Sequence, residues 1–484
     1  LTMRNQTEMT SRTIYATLIF SYILTGIFFY GAYYLLDPFF RISSPILPYT
    51  ESIVGSDVEN PIFRTALYLY SVIRSSTALF YFFVLFSVLI FLSEIPYVIL
   101  AVLHYSAARA RASRRKYSKL VHYEPLVSII IPAHNEEKVI ATALDSLLET
   151  DYKEKEIIVV DDGSTDRTAD IVSGYMRKNL VLLRRPRGGK ASALNNGLAY
   201  ANGEIIVMVD SDSAISIDSI TKLVRNFEND DVVAVAGNVK VGNRGRIFSR
   251  LQSLEYIREI NLRRSAFDLL NTIYVVPGAI GAFRADILRA TGAYDTDTIV
   301  EDMDLTLKIL KTGKRILYEK EAVSYTEAPE SITEWARQRR RWYGGTLQTI
   351  FKHRKGWWKY GTMSFVGFPY LVLSTLIVPI IEVTALIVGV IFGILGFWLG
   401  ILLAFALAMV LELFTSIIGV ALDREDPKLI LYSPLFLGYR YLIDFVRILT
   451  FWDVLRGQSS WHRSERYGKL PDKVKLNISS KSKR

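Results

Sequence analysis

Short apolar runs alternate with helical stretches through the middle of the chain. Residues 125–137 open with an isoleucine-rich run, reach a polar turn and lead into a helix-patterned stretch. Residues 155–176 repeat that order, with an acidic turn, and residues 180–201 form a third unit. A fourth apolar run, 203–216, contains Asp210-Ser-Asp212. Ile/Val-rich runs separated by helices predict an α/β domain whose mostly parallel sheet is covered on both faces. Ligands of such sheets bind beyond the carboxyl ends of the strands. Asp161, Asp162, Asp210 and Asp212 all fall there.

The second half of this region is less regular. Residues 232–241 predict a strand and 248–270 a helix. Residues 273–292 predict a strand, a small-residue turn and a helix, with Gly278, Ala279, Gly281 and Ala282 in the turn. Such residues suit either a ligand close to the backbone or tight packing. Residues 298–315 put Glu301, Asp302 and Asp304 at the head of a helix. Amide donors and the helix dipole can hold a carboxylate there; simple capping is the plainer reading. In the helix predicted over 332–351, Gln338, Arg341 and Trp342 share one face. Arginine forks suit phosphate and an indole suits a sugar ring, although the same pair also anchors helices at a membrane surface.

The ends follow another pattern. Residues 13–36 are uncharged and long enough to cross a bilayer, and read as a retained span rather than a signal peptide. Residues 78–103 form a second span, in which Glu94 and Pro96 are expected to face protein or an interface. Residues 61–74 are amphipathic, either an interfacial helix or part of a further crossing. The basic run 108–116 predicts a cytoplasmic central domain at a cell membrane. Residues 363–422 are nearly free of charge, Glu382 being an exception, and suffice for two spans with a turn near 396–400. Residues 433–455, with Asp444 and Arg447, either cross or lie in the interface; the basic stretch 461–469 favours an inside position for the segment after them. The resulting division is a membrane region over 1–122, a cytoplasmic domain over 123–345, an interfacial helix and membrane region over 346–460, and a basic tail over 461–484.

Composition sharpens this picture. Half of the 484 residues are hydrophobic, and the mean hydropathy of +0.22 is high for a soluble chain. The absence of cysteine excludes disulfides and thiol chemistry, and five histidines lend little support to a histidine-based zinc site. The net charge of +10 suits anionic lipid or a diphosphate, since the basic residues crowd near the spans. No array typical of RNA binding accompanies it, so no nucleic-acid partner is expected. No dinucleotide fingerprint follows the first strand and no P-loop occurs. A phosphate-handling site built on acids calls for a divalent cation, and oxygen-only ligands of the D-x-D type suit Mg²⁺ or Mn²⁺. Each acidic turn alone could be only a capped turn, the Asp161–Asp166 stretch being capped by Ser164 or Thr165.

Six stretches in order carry a resemblance. They are Pro132-Ala-His-Asn-Glu136, Asp161-Asp-Gly-Ser164, Gly189-Lys190, Asp210-Ser-Asp212, Glu301-Asp302 and Gln338-Arg-Arg-Arg-Trp342. Together with the flanking spans, they resemble the processive inverting glycosyltransferases of family two, which include poly-N-acetylglucosamine, hyaluronan, chitin and cellulose synthases. The likeness to poly-N-acetylglucosamine synthases is strongest around residues 277–310. It implies a GT-A-type nucleotide-sugar domain flanked by N- and C-terminal transmembrane helices. Ala133, Glu136, Asp161, Lys190, Asp210 and Asp212 would bind the donor, with Asp161 at the uracil. Asp212 would ligate Mg²⁺ or Mn²⁺, supported by Asp210. Asp302 would be the general base, and Gln338, Arg341 and Trp342 would hold the diphosphate and the acceptor mouth. The chain departs from cellulose synthases: Val300 stands where they carry Thr before Glu-Asp, and neither the F-x-V-T-x-K gating loop nor a cyclic-di-GMP domain is found.

The implied reaction is a single metal-assisted displacement. A hexose or N-acetylhexosamine would pass from a UDP-sugar to a hydroxyl of a growing polysaccharide or lipid-linked acceptor. A non-processive glycolipid or polyprenyl-phosphate transferase is the alternative, and an inactive membrane scaffold or transporter a further one. Membrane lipids, and either an accessory subunit or a second copy of the chain, are the other expected partners.

Overall fold

The computed structural model describes residues 94–108, 123–176, 179–394, 398–457 and 467–469. The expected span over 13–36, the amphipathic stretch 61–74 and the basic run 108–116 lie outside them, apart from residue 108; of the span over 78–103 only the part from Glu94 is described, within helix α1 (Glu94–Ala108).

Eight strands form one sheet in the order β3-β2-β1-β4-β7-β6-β8-β5. The first four are those of the predicted repeats: β1 (Val127–Ala133), β2 (Lys155–Asp162), β3 (Leu180–Arg185) and β4 (Ile205–Met208). They pair in parallel. Every residue of β1 and β4 is buried. Ile129 and Ile131 enter the core on one face and Ile130 that on the other, which is why these strands read as unbroken apolar runs. Three helices link them, α2 (Ile140–Leu148), α3 (Thr168–Ser173) and α4 (Lys190–Tyr200).

Beyond β4 the sheet is mixed, which corrects the mostly parallel expectation. β5 (Ser213–Ile215) is followed by α5 (Ser219–Val224) and β6 (Val232–Val241), then β7 (Gly281–Arg284) and, further on, β8 (Arg315–Thr326). β6 and β8 are parallel, whereas β7 runs antiparallel to both β4 and β6, and β5 antiparallel to β8. The strand expected near residue 273 is not formed. Of the small residues expected to turn, Gly278 and Ala279 do so, whereas Gly281 and Ala282 open the strand. A Cβ on Gly281 would meet Val276 Cγ1 at 2.6 Å and Pro277 O at 3.0 Å, so the preceding segment folds closely over β7 only because Gly281 lacks one.

Residues 247–270 form one helical run, α6, whose middle, Tyr256–Leu262, widens into a π-turn. After the short α7 (Ala285–Ala290) comes α8 (Glu301–Leu310), then β8 and the long α9 (Ile332–His353). Ser331 caps α9 by accepting from Glu334 N at 3.2 Å. Among the described residues, three helices are long and apolar enough to cross a membrane: Met363–Ile391, Phe405–Asp423 and Pro427–Leu455. Helices end at Ile394 and start at Trp398, so of the turn expected near 396–400, residues 396 and 397 lie outside the described residues and 398–400 are helical. The third of these helices contains Ser433–Leu455, left open between crossing and interface by its sequence. It is the most deeply packed of the three and lies along α9 and both other apolar helices.

Candidate active site

The carboxyl ends of β1, β2 and β4 open into a cavity of ≈ 700 Å³. Three loops shape the wall on the strand side. After β1, Asn135 takes a left-handed conformation (φ 54°). Its amide donates to Ser164 Oγ at 2.8 Å and its side chain accepts from Thr165 N at 2.7 Å. This stitches the first loop to the acidic turn after β2 and presents His134 and Glu136 to the cavity. Asp162 reaches across to the third loop and accepts from Gly188 N at 2.9 Å and Gly189 N at 2.8 Å. Gly189, at φ 87°, turns the chain into α4 and places Lys190 at its first position.

Lys190 Nζ lies 2.7 Å from Asp210 Oδ1 and 2.9 Å from Glu301 Oε1. Burial opposes its charge, but Asp210, Glu301 and Asp302 outweigh this and hold its pKa well above the ordinary lysine value. Gly278 approaches the same pair: a Cβ there would lie 2.8 Å from Lys190 Nζ and 3.1 Å from Asp210 Oδ1. Of the two readings of the small-residue segment, ligand approach fits Gly278 and Ala279, which line the cavity, and packing fits Gly281.

The three acids of the α8 head separate in role. Glu301 is tied to Lys190. Asp304 is fully buried and accepts from His353 Nε2 at 2.8 Å and Lys352 Nζ at 3.2 Å, so it pins α8 to α9 rather than capping its own helix. Asp302 lines the cavity. Its Oδ1 accepts from Met303 N at 2.8 Å. Burial and the Glu301 charge raise its pKa to about 6, against the opposing pull of Lys190 and the Met303 amide. A carboxyl near 6 is better matched to taking a proton at neutral pH than an ordinary aspartate.

Along α9, Gln338, Arg341 and Trp342 all face the cavity, as their spacing predicts. The neighbouring arginines turn elsewhere. Arg339 is fully buried and forks onto Glu255 at 2.7 and 2.6 Å, beneath the Trp342 ring. Arg340 pairs with Asp453. The cavity thus gathers Glu136, Lys190, Asp210, Asp212, Asp302, Gln338, Arg341 and Trp342. It does not gather Ala133 or Asp161. Ala133 packs in the core, and Asp161 is buried, accepting from Ser164 N at 3.1 Å. Sequence reasoning passed over His134, Arg187 and the α6 side chains Glu255, Glu259, Arg263 and Arg264, which also line the wall. The pattern of α6 predicts a helix but not which face is open.

Asp210 and Asp212 offer only oxygen donors in the cavity, a set suited to a hard divalent cation. A second acidic group, Asp295, Asp297 and Asp304, also clusters closely enough to hold an ion. Its centre is already taken by the Lys352 ammonium, 2.7, 2.6 and 3.2 Å from the three carboxylates.

Comparison with known proteins agrees with this fold. Residues 128–292 match the family described as Glycosyl transferase family 2. The poly-β-1,6-N-acetyl-D-glucosamine synthase of Staphylococcus epidermidis is 31% identical over 230 residues, 47% of this chain and 56% of that protein. Probable glycosyltransferase YdaM of Bacillus subtilis (strain 168) is 34% identical over 238 residues, 47% of this chain and 57% of that one. The chain therefore spans a little over half the length of the curated relatives it matches. The mannosyltransferase PcManGT from Pyrobaculum calidifontis, solved with GDP-Man and Mn²⁺, has the same fold at a TM-score of 0.51. It is 22% identical and covers 75% of this chain and 96% of its own. Residues 128–292 thus match glycosyl transferase family 2, and over about half its length the chain is similar to the poly-N-acetylglucosamine synthase of Staphylococcus epidermidis and to YdaM.

Proposed function

We propose that the protein is a membrane-embedded inverting glycosyltransferase that moves a hexose or N-acetylhexosamine from a UDP-sugar to an acceptor hydroxyl. The observation that carries this reading is Asp302. It shares one cavity with Asp210, Asp212 and Lys190 on the strand side and with Arg341 and Trp342 on the helix side. Glu136, Lys190 and Asp210 bind the nucleotide and diphosphate. Mg²⁺ or Mn²⁺ held by Asp212, with Asp210 beside it, would supply charge neutralisation at the leaving diphosphate. Asp161 and Ala133 act from behind this wall, Asp161 by shaping the turn that Ser164 closes.

The chain's own groups account for the remaining steps. Gln338 and Arg341 hold the diphosphate as negative charge grows on it. Trp342 offers its ring to the sugar at the acceptor mouth. Asp302 takes the proton of the acceptor hydroxyl as that oxygen attacks the anomeric carbon. The bond to the diphosphate breaks in the same displacement and the carbon inverts, with no enzyme nucleophile required. The cytoplasmic placement of residues 123–345, inferred from the basic run 108–116, puts the site where nucleotide sugars are available. A donor screen on the full chain in nanodiscs, with products identified by mass spectrometry, tests the reading. Transfer from at least one UDP-sugar is expected; hydrolysis and transfer absent with every nucleotide sugar would refute it in favour of a scaffold.

A further inference from the structure

The cavity continues past Asp302 to the apolar helices. Its far wall includes Leu371, Ser374 and Thr375 of the helix Met363–Ile391 and Arg447 of the helix Pro427–Leu455. Arg263, Arg264 and Glu259 of α6 line the same cavity. Two of the three arginines have counter-charges. Arg263 pairs with Glu94 at 2.9 Å and Glu259 at 2.5 Å, and Arg447 with Asp444 at 3.1 Å. Arg264 does not. It is only 7% exposed, yet among the described residues no carboxylate lies within ion-pair distance of it. Its contacts are a hydrogen bond from Nη1 to Gly237 O at 3.0 Å and the Tyr318 ring at 5.7 Å. Burial pulls its pKa below the ordinary arginine value.

A buried guanidinium without an ion-pair partner is costly, and a protein that keeps one in a cavity wall has a use for its charge. Planar donor forks bind phosphate oxygens in pairs. The donor diphosphate has its own cations in the cavity, Lys190 and Arg341. A neutral saccharide acceptor would leave Arg264 uncompensated. The wall around Arg264 leads to apolar helices, so the anionic ligand arrives with a hydrocarbon part.

Building on the transferase reading above, we propose that the acceptor is a lipid alcohol with a phosphate in its headgroup, and that Arg264 binds this phosphate while the headgroup hydroxyl reaches Asp302. The hydroxyl proton passes to Asp302, the hydroxyl oxygen forms the new glycosidic bond, and the bonding pair of the old one leaves with the nucleoside diphosphate. The phosphate stays intact.

The test uses the full chain in phosphatidylcholine nanodiscs, whose phosphate carries no free hydroxyl. Radiolabelled donor is offered with phosphatidylglycerol or phosphatidylinositol, with diacylglycerol, and with soluble glycerol phosphate. Transfer to the phosphate-bearing lipids is expected to exceed transfer to either other acceptor by about tenfold or more. Arg264→Gln should raise the half-saturating lipid concentration by about tenfold at unchanged donor affinity, measured by calorimetry, and Arg264→Lys should recover part of the loss. Equal use of diacylglycerol would overturn the phosphate assignment, and equal use of glycerol phosphate the lipid one. If Arg264→Gln moved only the pH profile and not lipid saturation, Arg264 would be the counter-charge of Asp302 instead. Should Arg264→Gln not fold, Arg264→Lys decides alone: unchanged lipid saturation and unchanged transfer rates overturn the proposal. Absence of donor binding in the native protein would defeat the transferase reading itself, which donor binding without lipid transfer would not.

Discussion

Glu301→Gln should move the acid limb of the rate–pH profile downward. In the free protein the Asp302 pKa lies at about 6, against an ordinary 3.8, with burial as the larger cause and the Glu301 charge as the next. The whole displacement corresponds to about 3 kcal/mol at 1.36 kcal/mol per unit. With burial as the larger cause and Glu301 as the next, neutralising Glu301 should lower the pKa by about one unit. The substitution also releases Lys190 from one of its two carboxylates, while Asp210 at 2.7 Å retains it. A Lys190 ammonium free to lean toward Asp302 would depress the pKa further, so both consequences have the same sign. A general base works when deprotonated. Transfer should therefore fall with acidity through about pH 6 in the native protein and through a lower pH in the variant. Nucleoside diphosphate release, measured as kcat/KM between about pH 4.5 and 8, reports the free protein's groups. At pH 5 the variant should retain about fivefold more of its plateau rate than the native protein retains of its own. An unmoved or upward-shifted limb would refute the assignment of that limb to Asp302 beside Glu301.

Three further outcomes follow from the same geometry. Asp302→Asn should lower sugar transfer by about 10²–10⁴-fold with donor affinity retained; a rate near native would show that the proton goes elsewhere. Asp212→Ala should abolish the gain in donor affinity that Mn²⁺ gives, and a calorimetric titration with that gain intact would exclude the metal role. Gly278→Val would drive side-chain carbons into the Lys190–Asp210 pair, where a Cβ alone reaches 2.8 Å from Nζ. Donor affinity should drop while the melting temperature in detergent changes little; native affinity would show that this wall is not at the donor.

The parallel half of the domain was legible because its chemistry is local. β1, β2 and β4 are buried on both faces over most of their length, so each reads as an apolar run, and their parallel pairing brings their carboxyl ends to one edge; β3, at the sheet edge, is half exposed. Gln338, Arg341 and Trp342 were legible for a related reason, since helical spacing decides which residues share a face. The antiparallel half was hidden. Gly281 and Ala282 have the composition of a turn, and they become a strand only because β4 and β6 offer hydrogen-bonding edges on both sides. The fates of the acids at the α8 head depend on partners about 50 to 110 residues away in sequence, Lys352 and His353 for Asp304 and Lys190 for Glu301. No local pattern distinguishes Asp302, which faces open space, from Asp304 two residues later. Arg264 was hidden for the same reason: no local pattern shows that, among the described residues, it has no direct ion pair.

The apolar helices are more than tethers, and the reason lies in where their few charges go. Arg258 of α6 pairs with Glu412 inside the second apolar helix. Arg440 of the third bridges Glu412 at 3.1 Å and Glu382 of the first. At the end of the second helix, Asp423 accepts from Asn238 at 2.6 Å, and the Lys240 ammonium lies 3.0 Å from Glu425, both partners being residues of β6 in the central sheet. Removing one member of a buried pair of this kind costs about 3–5 kcal/mol, because the remaining charge stays stranded. A helix that served only as an anchor would gain nothing from burying such groups. These contacts instead fix α6 between sheet and helices, and α6 supplies the cavity wall on which Arg263 and Arg264 stand. Cutting the chain before residue 363 would strand Arg258 and Lys240 and remove Leu371, Ser374, Thr375 and Arg447 from the lining together. The acceptor end of the cavity therefore exists only in the protein that retains its apolar helices, and acceptor specificity has to be measured on that form.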